Sequence, residues 1–328
     1  MFNQFCVVWL KNINTKNNIR MNKILTSPSS FGQISAQPFN ILRESGFEII
    51  NNPFGRKLTE EEVIELAKGC VGIVAGVEPL TKRVMDALPE LKCISRVGVG
   101  MDNVDLDYAK QKGITVVNTP DGPTRAVAEL TLGMTMALLR KIPQADAALK
   151  NRQWKKQIGN LIYEKQIGVI GLGRIGKTVA ELLRGIGNPV IGFDLYPDEK
   201  WAAENQVNLN SFENVLKMAD IVTLHIPGNK DKSPVIGSKE LSMMKKGAFI
   251  INISRGGVVD EDALYSALKE GHLAGAAIDV FTKEPYDGPL CELDNVVLTP
   301  HLGSYASEGK LQMEIDAVSN LINVLKKK

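Results

Sequence analysis

Three histidines occur in the 328 residues, and one of them, His301, stands in the stretch TPHLGS directly after the apolar run NVVL. A histidine in such a turn either serves as a hydrogen-bonding group or carries a proton near neutral pH without special tuning. A second chemical signal is a spacing. Gly171, Gly173 and Gly176 in QIGVIGLGRIGKTVAELL follow the pattern GxGxxG. The first glycine permits a tight turn, the second lets backbone approach a pyrophosphate, and the third allows close helix packing. The helix that follows offers free N–H groups to phosphates. Alone, the pattern also describes a glycine-rich connector. Here Asp194 closes the next apolar segment, VIGFD, where a carboxylate accepts hydrogen bonds from both ribose hydroxyls. Together the two features favour a dinucleotide site. A 2′-phosphate at Asp194 would meet a negative charge, and Leu195-Tyr196-Pro197 supplies no arginine to offset it, so NAD is expected rather than NADP. A methyltransferase site also uses a glycine turn and an acidic strand end, but it does not explain the polar residues downstream.

Those residues share a topological property. After the apolar segments ADIVTLH, GAFIINIS, LAGAAIDVF and NVVLTPH come His225, Arg255, Asp279 with nearby Glu284, and His301. Ligands of open α/β sheets bind beyond the carboxyl ends of the strands. His272, in KEGHLAG, falls at a helix-to-strand turn on the opposite rim. Each residue also has a plainer reading. Arg255 could bridge Asp260 or Glu261, although two glycines after it leave room for a ligand, which favours function. Glu284 alone reads as a solvated carboxylate; Pro285 biases it toward extended backbone. A buried Asp279 needs donors, from the protein or from a cofactor amide. His225 reads equally as a satisfied core histidine, and its role stays open.

These residues require rigid elements to hold them. Short apolar strands alternate with helical patterns from Met21 onward, the mark of an α/β protein with parallel sheets. In the first third, KILTS, GFEII, VGIVAG, LKCISRVG and ITVVNT read as strands, and TEEEVIELAKG and VDLDYAKQKG as helices closed by a glycine. The segment PTRAVAELTLGMTMALLRKIP is apolar on most faces, so its helix is expected to bury against another domain or a second subunit. A first domain crossing is placed near Thr119 to Pro123. With 44% hydrophobic residues the chain can bury two domains' worth of core. Lys plus Arg (39) nearly balance Asp plus Glu (37), which gives no electrostatic footprint for nucleic acid or an anionic membrane. No run reaches the roughly 20 apolar residues of a membrane span. Cys6, Cys70, Cys93 and Cys291 show no metal-ligand spacing and read as free core thiols of a reducing compartment, which makes the cytoplasm the expected location. Residues 1–20 lack the features of a signal peptide and read as a disordered extension.

The ordered set GLGRIG, Asp194, HIP, NISRGG, AAIDVFTKEP and TPHLGS resembles the D-isomer-specific 2-hydroxyacid dehydrogenase family. RVGVGMDNVD and AVAELTLG are similar to its phosphoglycerate dehydrogenase-like branch. The resemblance runs from Met21 to Lys328. It implies two doubly wound parallel-sheet domains, with a Rossmann NAD-binding domain (120–303) inserted in a flavodoxin-like substrate domain (21–119 plus 304–328). It implies a catalytic trio in which His301 exchanges the hydroxyl proton, Glu284 holds its imidazole and Arg255 grips the substrate carboxylate and carbonyl oxygen. Arg255 and the amides of Val97 and Gly98 would face the substrate. Gly171, Gly173, Arg174, Ile175 and Gly176 would cover the pyrophosphate, Asp279 would meet the nicotinamide amide, and Ile253 and Gly303 would complete the NAD site. The implied reaction interconverts a D-2-hydroxy acid and its 2-oxo acid, with 3-phosphoglycerate or glycerate/hydroxypyruvate as substrates. Ala75, Gly76 and Val77 stand where phosphoglycerate-oxidising relatives carry a cation, and Arg96, Arg125 or Lys82 would have to compensate. A homodimer is implied, and no regulatory domain is expected after Lys328. The same family includes NADH-binding corepressors, so a protein-interaction module is the alternative.

Overall fold

The computed structural model describes residues 21–229 and 231–327; the reading of residues 1–20 and of Cys6 lies outside them. The described chain divides into two compact units, one reaching Thr119 and resuming at Glu314, the other spanning Pro120–Met313.

The first unit alternates β1 (Lys23–Thr26), α1 (Gln37–Glu44), β2 (Glu48–Asn51), α2 (Glu60–Leu66), β3 (Cys70–Ala75), α3 (Lys82–Ala87), β4 (Cys93–Arg96), α4 (Leu106–Gln111) and β5 (Thr115–Asn118). Its five strands are all parallel, in the order β2-β1-β3-β4-β5, the flavodoxin-like doubly wound arrangement. Local chemistry sets the helix ends. Thr59 and Glu62 form a reciprocal capping box at the start of α2. Gly113, at φ 70°, turns the chain out of α4 and into β5.

The second unit contains α5 (Gly122–Leu139), α6 (Ile142–Lys150), β6 (Ile167–Ile170), α7 (Arg174–Gly185), β7 (Val190–Phe193), α8 (Glu199–Glu204), β8 (Val207–Leu209), α9 (Phe212–Met218), β9 (Ile221–Leu224), α10 (Ser238–Met243), β10 (Ala248–Asn252), α11 (Glu261–Lys269), β11 (Leu273–Ile278) and β12 (Val296–Leu298). Its seven strands run β12-β11-β10-β9-β6-β7-β8, every pairing parallel. That is the Rossmann order with one further strand, and the switch point falls between β6 and β9. Strands such as IGVI and IVTL are buried along their whole length, because helices cover both faces of the sheet.

The last helix, α12 (Ser307–Lys326), passes from the second unit into the first. There Ala317, Val318, Leu321 and Ile322 bury against Ile24, Val74 and Cys93. Gly72 makes room for it, since an added Cβ would lie 3.0 Å from Leu321 Cδ1. The Ser95 hydroxyl donates to the Ala317 carbonyl at 2.7 Å.

Two expectations are corrected. The apolar helix α5 buries its main apolar face within its own unit rather than against another domain. Val127, Ala128, Met134, Leu138 and Leu139 pack into the core of their own unit, alongside residues of α7 and β11. The buried Thr131 and Thr135 hydroxyls donate to the carbonyls of Val127 and Thr131, which lets a threonine-bearing face enter an apolar core. Cys70 and Cys93 are buried thiols, and burial raises the Cys70 thiol to about 11. Cys291 is exposed, because it lies in a short 3₁₀ turn, Pro289–Glu292, rather than in a core strand.

Candidate active site

The glycine turn after β6 shows three different uses of glycine. Gly171 has φ 92°, and a Cβ there would overlap the His225 carbonyl. A Cβ on Gly176 would overlap the Gly171 carbonyl oxygen, so helix α7 can approach the strand only through a glycine. Gly173 is exposed and caps α7 without a side-chain bond. A Cβ on it would meet nothing within 4 Å. The space a side chain would fill is therefore open above the helix N-terminus, as a diphosphate requires. Ile175 packs partly against the core, while Arg174 points outward and pairs with Asp121, Nε to Oδ1 at 2.9 Å.

Asp194 follows β7 and faces this turn. Its Oδ2 accepts from the Leu172 amide at 2.7 Å and its Oδ1 from the Tyr196 amide at 2.8 Å. Two backbone donors aim the half-buried carboxylate beside the glycine turn, and each oxygen keeps a second lone pair for a ribose hydroxyl. The residues present fit a dinucleotide.

The other strand ends lie in register. Asn252, Ile278 and Leu298 pair across β10, β11 and β12, so Arg255, Asp279, Glu284 and His301 all follow the same edge of the sheet. Gly256 tightens this arrangement, because a Cβ on it would overlap the Phe281 carbonyl. The loop bearing Arg255 thus abuts the loop bearing Glu284. Arg255 donates to the Ser254 carbonyl at 2.8 Å. Asp260 is engaged as the cap of α11, and Glu261 accepts from the Thr282 amide at 2.7 Å.

Glu284 and His301 meet directly. His301 Nδ1 lies 3.1 and 3.0 Å from the two carboxylate oxygens, one of which also accepts from the Phe281 amide at 3.1 Å. The side chains are 39% and 52% exposed, so Nε2 of the imidazole is left to act outward. His301 takes φ 55°, a left-handed conformation that histidine adopts more readily than most residues. A cavity of about 550 Å³ opens beside the pair, with Phe281, Tyr286, Leu298 and Pro300 in its walls.

The turn is held from below by Asp279, which is fully buried. Its Oδ1 accepts from the Thr299 hydroxyl at 2.5 Å and the Leu302 amide at 2.7 Å; Oδ2 accepts from the Gly303 amide at 2.9 Å. The donors that bury Asp279 are protein groups, and Oδ2, with the Gly303 amide as its one donor here, keeps a lone pair for a further donor. The Val97 and Gly98 amides differ from expectation. Val97 N donates to the Ala75 carbonyl at 2.8 Å, extending the β3–β4 ladder, and Gly98 N donates to Thr119 Oγ1 at 2.8 Å. Neither amide is left open for a carboxylate. Ile253 is buried beneath Gly303, whose added Cβ would lie 3.6 Å from Ile253 Cγ2.

His225 ends β9 behind the glycine turn, its Nε2 2.9 Å from Thr223 Oγ1. Burial pushes its imidazole down to about 3, so the ring is neutral and serves packing. His272 bonds the Leu241 carbonyl at 3.1 Å, away from these groups. Sequence reasoning missed Asp121 and Thr299, and it read Gly256 as leaving room for a ligand, whereas that space is taken by the Phe281 carbonyl. The alternation in TLH could have flagged Thr223 beside His225, whereas nothing local links Asp121 to Arg174.

Comparisons with known proteins give the family. Residues 132–303 match the D-isomer specific 2-hydroxyacid dehydrogenase, NAD binding domain. The D-3-phosphoglycerate dehydrogenase of Methanocaldococcus jannaschii is 44% identical over 258 residues, which is 77% of this chain and 49% of the relative. That of Bacillus subtilis is 38% identical over 257 residues, again 77% of this chain and 49% of the relative. The chain thus spans about half the length of these curated relatives. Among solved structures, the TT0316 protein from Thermus thermophilus superposes with a TM-score of 0.85 at 34% identity, covering 93% of this chain and 97% of that one. The chain belongs to the D-isomer specific 2-hydroxyacid dehydrogenase family and carries its NAD-binding domain.

Proposed function

We propose that this chain is an NAD-dependent oxidoreductase that interconverts a D-2-hydroxy acid and its 2-oxo acid. The observation that carries the reading is the Glu284–His301 pair, 3.0 Å apart at the carboxyl edge of the NAD-binding sheet. When bound, NAD exchanges a hydride with the carbinol or carbonyl carbon. His301, its Nδ1 held by Glu284, takes the hydroxyl proton at Nε2 in oxidation and returns it in reduction. Glu284 fixes the tautomer and stabilises the charged imidazolium. Arg255 holds the substrate carboxylate and polarises the carbonyl oxygen. Gly171, Gly173, Arg174, Ile175 and Gly176 receive the diphosphate, Asp194 the ribose, and Ile253 and Gly303 border the nicotinamide.

The names of the curated relatives point to 3-phosphoglycerate, whereas this chain's residues favour an unphosphorylated acid such as hydroxypyruvate. Glu78, 1% exposed, takes the Gly76 amide at the end of β3. Arg125 is paired with Glu129, and Lys82 lies 5.0 Å over the Tyr108 ring. Arg96 bonds the Val97 carbonyl. A homodimer in the cytoplasm is part of the proposal. Trp154, Ile158 and Leu161, 83%, 91% and 70% exposed, are large apolar side chains within eight residues of chain that a second subunit would cover, and no described helix is long and apolar enough to cross a membrane.

The test is a panel of glyoxylate, hydroxypyruvate, phosphohydroxypyruvate and pyruvate, assayed with NADH and NADPH. Turnover with NADH, fastest on an unphosphorylated acid, is expected. Faster turnover of phosphohydroxypyruvate would reverse the substrate assignment, and turnover of none would favour the interaction-module alternative.

A further inference from the structure

Asp121 precedes α5 as its N-cap residue, yet its carboxylate makes no capping bond to that helix. It reaches instead to Arg174, the first residue of α7 after the glycine turn, with Nε 2.9 Å from Oδ1. Both side chains are solvent-facing, at 64% exposure for Arg174 and 78% for Asp121. The Nε edge of a guanidinium is one of its bidentate faces for carboxylate and phosphate oxygens. A carboxylate and a diphosphate cannot both occupy it.

We propose that Asp121 is an internal competitor for the cofactor's diphosphate: Arg174 exchanges the Asp121 carboxylate for phosphate oxygens as the dinucleotide binds. Asp121 thereby lowers cofactor affinity and speeds cofactor release. The inference rests on the dinucleotide reading of the Gly171–Gly176 turn. The pair is exposed, so the exchange is easy and its effect modest, about 1.5- to 5-fold in Kd, the range an exposed ion pair supports.

The test is a double-mutant cycle read by NADH binding, from fluorescence or calorimetry, on wild type, Asp121→Asn, Arg174→Ala and the double variant. Asparagine keeps the size and capping ability of the side chain and removes only its charge. Asp121→Asn is expected to tighten NADH about 1.5- to 5-fold, and to do nothing further in the Arg174→Ala background. Weaker NADH binding by Asp121→Asn would mean that Asp121 orients Arg174 for the cofactor, and overturns the proposal. Equal tightening in both backgrounds also overturns it, because the effect would then be long-range charge rather than exchange. No NADH binding by wild type would sink the NAD reading itself, a distinct outcome visible before any variant is compared.

Discussion

Replacing Glu284 by glutamine isolates the electrostatic part of the Glu284–His301 interaction. One carboxylate oxygen lies 3.1 Å from both Phe281 N and His301 Nδ1. A glutamine carbonyl placed there would serve both donors, so Glu284→Gln keeps the imidazole oriented and deletes the negative charge beside it. A charge-assisted hydrogen bond contributes about 1.5–3 kcal/mol. The partners here are 39% and 52% exposed, and solvent screening moves the expected loss to about 1–2 kcal/mol. In the proposed reaction the imidazolium forms as the substrate proton moves, so that loss would fall on the transition state. It corresponds to about a 5- to 30-fold lower kcat for hydroxy-acid oxidation. The assay is steady-state kinetics with the best acid from the panel, together with NADH affinity, which should stay within two-fold of wild type. A kcat within two-fold of wild type would refute the assignment of Glu284 as the imidazole's charged partner. A drop in NADH affinity equal to the drop in kcat would place Glu284 in cofactor binding instead.

Asp194→Ala should relax discrimination against NADP, since the variant no longer sets a carboxylate against a 2′-phosphate; an unchanged ratio of kcat/KM for the two cofactors would move the ribose contact elsewhere. His225 links stability to acid. Its folded-state value near 3 lies below the ordinary 6.5, so its contribution is fully present above about pH 6.5 and is lost as the pH falls toward 3. The loss is about 2 kcal/mol by pH 5, and urea unfolding of His225→Gln should show a shallower decline between pH 7 and pH 5 than wild type; parallel curves would contradict it.

Much of the fold was legible locally. Alternating short apolar runs and capped helices predict parallel sheets because each pattern carries its own period and its own terminators. The edge strand β8 carries no such signal, as three residues, VNL, are too few to show a period. The glycine turn, Asp194 and the order of polar residues after successive strands were also readable, since turn chemistry depends on near neighbours and strand ends share one edge. The meeting of Glu284 with His301 was expected only through family resemblance, and the structure sets it at 3.0 Å.

The sequence by itself determined which groups stand at the carboxyl edge and where the backbone could come close to a phosphate. Tertiary structure decided who bonds whom. It gave Asp279 to Thr299, Leu302 and Gly303, gave the Gly98 amide to Thr119, tied Arg174 to Asp121 and buried α5 within its own unit. Each of these partnerships joins segments far apart in the chain or depends on the strand order of its sheet. Strand order is selected by packing across the whole sheet, and no local periodicity encodes it.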